Sequence, residues 1–342
     1  MNFGGTIRLN RIGVCVIIGA CVLFVLYMNT NGIENQKTEL RKNTEKVNLK
    51  KLLAAAISVA IRGGKEVVLI KKSNDIGEKS KGNTKEGIND PVTKADYNSH
   101  CAMYYGLSHL FSGLKIISEE HKEQSECTNI STFDSDFEDT LKDLPVVDQH
   151  IPIQDVTVWI DPLDATKEFT ENLLQYVTTM VCIAVKGKPL IGVIHKPFDL
   201  ETYWAWRDKG NSDNFGNKKT DDSGNTKIIV SISHAGTVKN VSQQAFGKNV
   251  EIISAAGAGY KSLEVAKGNA DAYIHITHIK KWDVCAGNAI IEALNGKLTT
   301  LSNTELDYSA DSNPLNDKGL LATMKNHDLY LEKLNSVKKN VL

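Results

Sequence analysis

The amino-acid sequence predicts a layered α/β fold preceded by one membrane-spanning helix. From residue 47 onward, short apolar runs typical of strands alternate with segments of helical periodicity, which is the pattern of a layered α/β domain. Before that region, residues 12–28 contain no charged side chain. These two observations divide the chain into an apolar N-terminal segment and a globular part.

The apolar segment at residues 12–28 predicts a transmembrane signal anchor. At ~1.5 Å per residue it reaches about 25 Å as a helix, the lower limit for crossing a hydrocarbon core of about 30 Å. Its end, Leu26-Tyr27-Met28, lacks the small residues of a signal-peptidase site, which disfavours a cleaved signal peptide. Arginine and lysine residues flank both ends, so charge alone leaves the orientation open.

The remaining elements follow from periodicity and turn residues. Helical spacing of apolar residues begins at Val47 and predicts a helix that ends at Gly63-Gly64. Residues 71–90, rich in lysine, glycine and asparagine, predict a mobile loop. Further strands are predicted at 114–118, 156–160, 176–185, 189–195, 227–231, 251–254, 272–276 and 319–322, and further helices at 98–111, 260–267 and 283–294.

Composition shifts define the domain boundaries. We expect a tail at 1–11, the anchor at 12–28, a polar stem at 29–46 and a folded domain at 47–342. The polar stretch Lys209–Thr226 predicts a boundary between lobes of about 47–215 and 225–342.

Charge and cysteine content narrow the class of protein. Lys+Arg 40 against Asp+Glu 41 gives a net charge of -1, so we expect no binding to nucleic-acid polymers. The cysteines lack the paired spacing of a zinc site. Cys182 lies in an apolar run and is interpreted as a small buried hydrophobic residue, whereas a Cys101–Cys127 disulfide remains open. Acceptor triplets for N-glycosylation occur at Asn129 and Asn240.

Acidic residues at the ends of apolar elements carry the functional signal. A strand candidate runs directly into Asp161 and Asp164, which a proline turn separates, and carboxylates held this way suit Mg²⁺. A plain Asp-Pro turn with Asp164 capping a helix is the alternative. Glu119 also ends an apolar strand, and Asp283 begins an apolar helix. Taken alone, each acid is best interpreted as an ordinary residue at the end of a strand or the start of a helix. Together they suggest a polynuclear metal site.

The segments Asp161–Thr166 and Trp282–Gly287, with Glu119-Glu120 upstream, resemble the paired signature of the inositol monophosphatase superfamily of lithium-sensitive, magnesium-dependent phosphatases. The resemblance covers residue 47 to the C-terminus and implies a layered αβαβα sandwich. Ala165 departs from the glycine that many members have. Within the superfamily, residues 176–182, 192–198 and 279–283 are similar to membrane-anchored nucleotidases of the Golgi.

That resemblance implies a type II protein of the Golgi membrane whose lumenal domain hydrolyses the 3′-phosphate of adenosine 3′,5′-bisphosphate to leave AMP. It implies two or three Mg²⁺ ions per site. Glu119, Asp161 and the Leu163 carbonyl would hold one ion, and Asp161, Asp164 and Asp283 would hold a second.

The same resemblance implies that Asp96 and Thr166 activate the attacking water, because a threonine hydroxyl needs a carboxylate partner to relay a proton. The residues implied to bind substrate are Ser231, His234, Gly257 and Lys261. Two alternatives stay open, a phosphatase of inositol phosphates or other sugar phosphates, and a catalytically silent scaffold tethered to the membrane. The sequence does not indicate an oligomeric state.

Overall fold

The computed structural model describes residue 19 and residues 22–28, 45–83, 87–127, 136–216, 225–232, 237–247 and 249–341. Residues Val47–Leu342 form one compact unit, and Met1–Lys46 form another. Of the predicted anchor, residues 19 and 22–28 are described, and they are helical. Among the described residues, no helix combines the length and the apolar character needed to cross a membrane. The anchor and the lobe boundary within 209–226 therefore stay predictions.

The predicted alternation of strands and helices is confirmed. In the described part of the chain from residue 45 onward, the α-helices, numbered α1–α8, are Leu49–Ser73, Lys94–Leu110, Asp136–Asp143, Thr166–Thr170, Val238–Phe246, Ala258–Lys267, Lys281–Ala293 and His327–Val341. The β-strands, numbered β1–β17, are Lys46–Asn48, Lys79–Asn83, Asn89–Val92, Lys115–Ser118, His150–Pro152, Val156–Asp164, Thr178–Val185, Lys188–Lys196, Glu201–Trp206, Gly210–Asn211, Lys227–Ser231, Glu251–Ala255, Ala272–His275, Ile279–Lys280, Lys297–Thr299, Leu315–Asn316 and Leu320–Thr323.

Two mixed sheets carry the fold. The six-stranded sheet has the order β10-β9-β8-β7-β6-β4, and all its neighbours are antiparallel except β4 and β6. The five-stranded sheet has the order β12-β11-β13-β17-β15, in which β11 is parallel to both β12 and β13. Parallel neighbours bring their carboxyl ends to the same edge, which is where α/β proteins usually bind ligands.

Apolar packing arranges these elements in five layers. Helices α1 and α2 share a core cluster with the six-stranded sheet, to which Leu52 and Val158 belong. Helices α6 and α7 lie in a second cluster with both sheets, which includes Ala286 and Tyr273. Helices α5 and α8 cover the five-stranded sheet in a third cluster. The order is therefore helices, sheet, helices, sheet, helices.

Helix α1 continues through Gly63-Gly64, so the predicted helix end there is wrong. A Cβ atom on Gly63 would lie 2.5 Å from the Ser99 hydroxyl, and one on Gly64 would lie 2.6 Å from the His195 ring. These glycines therefore allow the close approach of α1 to α2 and β8 rather than ending the helix. The helix ends at Ser73, followed by Asn74 in the left-handed conformation (φ 57°).

The predicted mobile loop at 71–90 is also largely wrong for its described residues. The end of α1 occupies residues 71–73, and β2 pairs with β3 as an antiparallel ribbon. Every residue of β2 is exposed, so this strand lacks the apolar alternation by which strands are recognised in a sequence. Strand β9 and helices α5 and α8 were missed as well.

The cysteines of the folded unit form two disulfides. Cys101 pairs with Cys127, the pairing that the sequence left open. Cys182 pairs with Cys285, with their Cα atoms 5.6 Å apart, so the interpretation of Cys182 as a simple buried hydrophobic residue is wrong. The second bond joins β7 to α7 across two layers, from positions 103 residues apart.

We predict that Gly192→Ala destabilises the domain by about 3 kcal/mol, within the range of overpacked cores. The new Cβ would lie 2.2 Å from the Ala286 carbonyl oxygen, a backbone atom of α7. Gly268→Ala is the control, because its left-handed φ of 79° costs about 1–2 kcal/mol while no atom lies within 4 Å of the added Cβ. Chemical denaturation measures both, and a smaller loss for Gly192→Ala than for the control would contradict this packing.

Candidate active site

The first acidic motif lies where β6 leaves its sheet. Pairing between β6 and β7 shifts register between Asp161 and Asp164, so the strand bends at this point. The backbone N–H of Leu163 donates to Asp161 Oδ1 at 3.1 Å, which fixes that carboxylate. Ala165 follows with φ 69° and ψ 45°, a left-handed conformation that glycine adopts more easily, and α4 begins at Thr166. The methyl group of Ala165 is thus accommodated, at some cost in strain.

Strand pairing and a helix start bring three acids together. The parallel register Ser118↔Ile160 places Glu119 beside Asp161, and the Glu119 N–H donates to the Ile160 carbonyl at 3.1 Å. Asp283 lies in the first turn of α7, where its carboxylate accepts the Lys280 N–H at 3.0 Å. One carboxylate oxygen from each of Glu119, Asp161 and Asp283 lies within 4.8 Å of the others. Acids from three distant segments therefore share one position.

Asp164 lies next to this group in a different setting. Its Oδ2 accepts the backbone N–H of Gly259 at 2.8 Å and faces the Thr178 hydroxyl at 3.3 Å. Gly259 lies in the first turn of α6, where free N–H groups favour a negative charge. Asp164 thus connects the β6 turn to the helix that carries Lys261.

The electrostatics of the acids favour a bound cation. Burial, reinforced by Glu119, Asp164 and Asp283, raises the pKa of Asp161 well above its usual range. Burial and the carboxylates of Glu119 and Asp164 likewise raise the pKa of Asp283, and burial raises the pKa of Asp164. Crowded carboxylates of this kind are relieved by a proton or by a hard cation, and oxygen donors are those that Mg²⁺ prefers. The donor set therefore fits magnesium.

Asp96 and Thr166, the pair that the family resemblance implied, are in direct contact. The Thr166 hydroxyl donates to Asp96 Oδ1 at 2.9 Å and also lies 3.1 Å from the Leu163 carbonyl. The other oxygen of Asp96 accepts both the N–H and the hydroxyl of Thr93, at 2.7 and 2.6 Å. Burial, together with the nearby Glu119, raises the Asp96 pKa to about 7 despite these donors.

A pocket of about 560 Å³ opens beside the acids, within the usual size of small-molecule sites. Lys261 lines it and is only 2% exposed. Its ammonium group donates to the Gly257 carbonyl at 2.7 Å and lies 5.1 Å from the centre of the Tyr273 ring. Burial lowers the Lys261 pKa to about 8, although Asp164 opposes this shift. The pocket thus holds one buried cation close to the acidic group.

Of the other residues predicted to bind substrate, Gly257 and Ser231 line the pocket, and His234 is not among the described residues. Gly257 lines the pocket with φ 66°, and a Cβ there would lie 2.7 Å from the Tyr176 carbonyl oxygen, so no larger residue fits. Ser231 also lines the pocket, with its hydroxyl 3.3 Å from His275 Nδ1. His234 lies outside the described residues, and its role stays a prediction.

Sequence reasoning missed Lys81, His275 and Tyr273, all of which line the pocket. The Lys81 ammonium contacts both Glu119, at 3.0 Å, and Glu120. Its strand is exposed and was interpreted as a loop, so no sequence signal connected it to acids 38 and 39 positions away. Tyr273 and His275 belong to an apolar strand, where alternate side chains facing a pocket resemble ordinary core positions.

Comparison with known proteins places the chain among phosphatases. Residues 48–339 match the model of the inositol monophosphatase family. A putative inositol monophosphatase 3 of Drosophila melanogaster is 44% identical over 98% of this chain and 96% of its own length. The mouse Golgi-resident adenosine 3′,5′-bisphosphate 3′-phosphatase is 43% identical over 98% of both chains.

Solved structures show the same fold. The extragenic suppressor protein suhB from Bartonella henselae aligns with a TM-score of 0.63, at 19% sequence identity, over 84% of this chain and 98% of its own. The family model matches most of the chain, and near full-length relatives are more than 40% identical to it. The chain belongs to the inositol monophosphatase family.

Proposed function

We propose that this phosphatase removes the 3′-phosphate of adenosine 3′,5′-bisphosphate to give AMP and inorganic phosphate. The observation that carries the proposal is the convergence of Glu119, Asp161 and Asp283 on a pocket that also holds the buried Lys261. Such a pocket offers a cation site for one phosphate and a separate protein cation for another anionic group. The identity of 43% with a relative named for this reaction supports the same choice.

Glu119, Asp161, the Leu163 carbonyl, Asp164 and Asp283 would hold two or three Mg²⁺ ions. When bound, magnesium neutralises phosphate oxygens, lowers the pKa of a water molecule and stabilises the leaving alkoxide. The protein groups supply the negative charge that keeps the ions in place. Asp161 is the most buried of the three clustered acids.

Thr166 and Asp96 would orient and deprotonate the attacking water. Because the Thr166 proton is directed to Asp96 Oδ1 at 2.9 Å, the lone pairs of Thr166 are available to accept a proton from the water. Asp96 can take up the Thr166 proton in the same event, since its pKa of about 7 suits a general base near neutral pH. Thr93 holds the carboxylate in this orientation through Oδ2.

Ser231, Gly257 and Lys261 would bind the rest of the nucleotide, with His234 as a further contact. The Lys261 ammonium is the buried cation that can face a second phosphate. The left-handed backbone at Gly257 starts α6, whose first N–H groups also favour an anion.

We place the enzyme in the Golgi membrane as a single-pass type II protein with a lumenal catalytic domain. Two disulfides suit an oxidising compartment. The acceptor residue Asn240 is exposed on α5, where a glycan would not disturb the core. The name of the mouse relative agrees with this location.

Hydrolysis of an inositol phosphate is the second candidate function. It is favoured by the relatives named inositol monophosphatase 3, which are as similar to this chain as the Golgi-resident enzymes. An inositol monophosphate lacks both a second phosphate and a base, so it would bring no second anionic group for Lys261 to bind.

A substrate panel tests the proposed function. We expect the full-length protein with Mg²⁺ to hydrolyse adenosine 3′,5′-bisphosphate with a higher kcat/KM than adenosine 3′-monophosphate or inositol 1-phosphate, and Li⁺ to inhibit it. Asp161→Asn controls for contaminating phosphatases, because it removes the negative charge of the most buried acid in the cluster. Preference for inositol 1-phosphate by the wild-type protein would overturn the substrate assignment.

The proton relay predicts a strongly non-additive pair of variants. Thr166→Val and Asp96→Asn should each lower kcat by roughly 10²–10⁴-fold, the usual contribution of a positioned acid or base. The double variant should be little worse than either single one, because both residues serve one proton path. Thr170→Val is the control, since its hydroxyl bonds to the Lys167 carbonyl within the same helix. Defects that simply multiply would count against a shared relay.

The clustered carboxylates of Glu119, Asp161 and Asp283 predict that magnesium stabilises the protein more at about pH 7.5 than at about pH 5. Carboxyl groups with raised pKa values contribute stability below their unfolded pKa near 4 and lose it as the pH rises through the folded pKa. Without metal the protein should therefore be destabilised toward neutral pH, where Mg²⁺ relieves the repulsion.

Thermal unfolding with and without Mg²⁺ measures this effect. At 100 times its Kd, Mg²⁺ should raise the free energy of unfolding by about 2.7 kcal/mol. Asp283→Asn should weaken the magnesium response. A response that is equal at both pH values would argue against a carboxylate metal site.

A further inference from the structure

One face of helix α2 carries three buried polar side chains. Asp96, Ser99 and His100 are three and four positions apart, so they lie on the same side of the helix. They are 1%, 0% and 2% exposed. Polar side chains buried this deeply are held by hydrogen bonds, and the bonds of these three reach beyond the helix itself. Asp96 contacts Thr166, whereas Ser99 and His100 contact two neighbouring strand ends.

Ser99 contacts the bent end of β6. Its hydroxyl donates to the Pro162 carbonyl at 2.6 Å, and the Met103 sulfur, at 3.4 Å, is a weaker acceptor for the same proton. The register pairs of β6 with β7 pass from Asp161 to Asp164 and skip the residues between them. Ser99 therefore holds a carbonyl that lies outside the regular pairing of the sheet, between two of the acids.

The packing of α1 against α2 leaves room for this hydroxyl. A Cβ atom on Gly63 would lie 2.5 Å from Ser99 Oγ and 2.6 Å from the Met103 sulfur. A side chain at position 63 would therefore displace the Ser99 hydroxyl from the Pro162 carbonyl. Since Ser99 is completely buried, solvent has no access with which to replace the lost bond.

His100 makes a corresponding contact with β4. Its Nδ1 lies 2.8 Å from the Ser118 hydroxyl oxygen, and Ser118 is the last residue of β4, directly before Glu119. Burial lowers the pKa of His100 to about 4, so the ring is uncharged near neutral pH and does not act on Glu119 as a positive charge. The contact therefore fixes the strand end without neutralising the acid.

We infer that Ser99 and His100 are positioning residues of the proposed metal site. Ser99 holds the bend that carries Asp161, and His100 holds the strand end that Glu119 follows. Because both residues lie on α2, one helix fixes the positions of two acids from neighbouring strands, and Asp96 lies on the same helix. The inference rests on the magnesium site of the proposed function, but it does not depend on which phosphate ester is hydrolysed.

The physical reason is the repulsion between the acids. Oxygens of Glu119 and Asp161 lie within 4.8 Å of one another, so without a cation the two segments repel. The hydrogen bonds from α2 oppose their separation. Groups just outside a metal's ligands commonly act in this way, by orienting the ligands before the ion binds.

Magnesium binding to the metal-free full-length protein, measured by calorimetry, tests the inference. Ser99→Ala and His100→Leu each remove one of the two bonds and leave every proposed ligand in place. Each should raise the Kd for Mg²⁺ by roughly 10- to 100-fold, the usual effect of losing such a partner. Ser108→Ala is the matched control, because its hydroxyl bonds to the Tyr105 carbonyl at 3.3 Å within α2. It should leave the Kd for Mg²⁺ unchanged.

Further variants separate positioning from folding. His100→Asn keeps a hydrogen-bonding group near the position of Nδ1 and should restore most of the magnesium affinity. The His100→Leu/Ser118→Ala double variant should be little worse than either single one, because both changes remove the same bond. Thermal unfolding shows whether each variant is folded. Ser99→Cys, a weaker donor of similar shape, replaces Ser99→Ala if the latter does not fold, and Ser118→Ala replaces His100→Leu.

Steady-state assays give a second readout. For Ser99→Ala and His100→Leu, the Mg²⁺ concentration at half-maximal activity should rise by the same factor as the Kd. At saturating Mg²⁺, KM for adenosine 3′,5′-bisphosphate should be little changed, because neither residue lines the pocket.

A wild-type Kd for Mg²⁺ in either folded variant, an equal loss in Ser108→Ala, or no recovery in His100→Asn would each overturn the inference. Lower thermal stability with unchanged magnesium binding would show a purely structural role and would overturn it as well. Failure of the proposed function looks different. Either the wild-type protein itself would bind no Mg²⁺, or it would bind Mg²⁺ and prefer inositol 1-phosphate.

Discussion

Repulsion among buried carboxylates is the constraint on which the rest of this site depends. Glu119, Asp161 and Asp283 bring oxygens within 4.8 Å of one another, and removal from water makes their charges costly. Three features hold them there: the parallel pairing of β4 with β6, the bend near the end of β6 and the first turn of α7. A cation resolves the repulsion, so the fold and the proposed magnesium chemistry share one physical origin.

The position of Asp283 depends on the packing of the central helix layer. Helix α7 carries Asp283 and packs between both sheets, so any shift of the helix would move the acid away from Asp161. Two features fix its position. Gly192 lets the strand β8 approach the helix backbone, and the Cys182–Cys285 disulfide joins β7 to the turn that follows Asp283. The close packing of α7 thereby holds Asp283 at a defined distance from Asp161.

The pocket lining combines acidic, basic and other polar side chains. The acids and the buried Lys261, whose pKa is lowered to about 8, line the same pocket, and Lys81 contacts Glu119 from the exposed β2 ribbon. Ser231, Tyr273 and His275 add polar side chains to the lining. A molecule with one phosphate for the acidic metal site, a second anionic group and a polar nucleoside would complement all three regions. Inositol phosphates would complement fewer of them.

The sequence by itself determined the layered α/β class and the acidic residues at element ends, because apolar periodicity and strand-end carboxylates are local patterns. The Asp96–Thr166 pair and Lys261 followed from family resemblance. Only the tertiary structure decided that Gly63-Gly64 continue a helix, because their role is close packing against α2 and β8. It also decided the Cys182–Cys285 pairing and the contact of Lys81 with Glu119. Each of these depends on neighbours distant in sequence or on a three-dimensional hydrogen-bond geometry, which no local pattern of residues encodes.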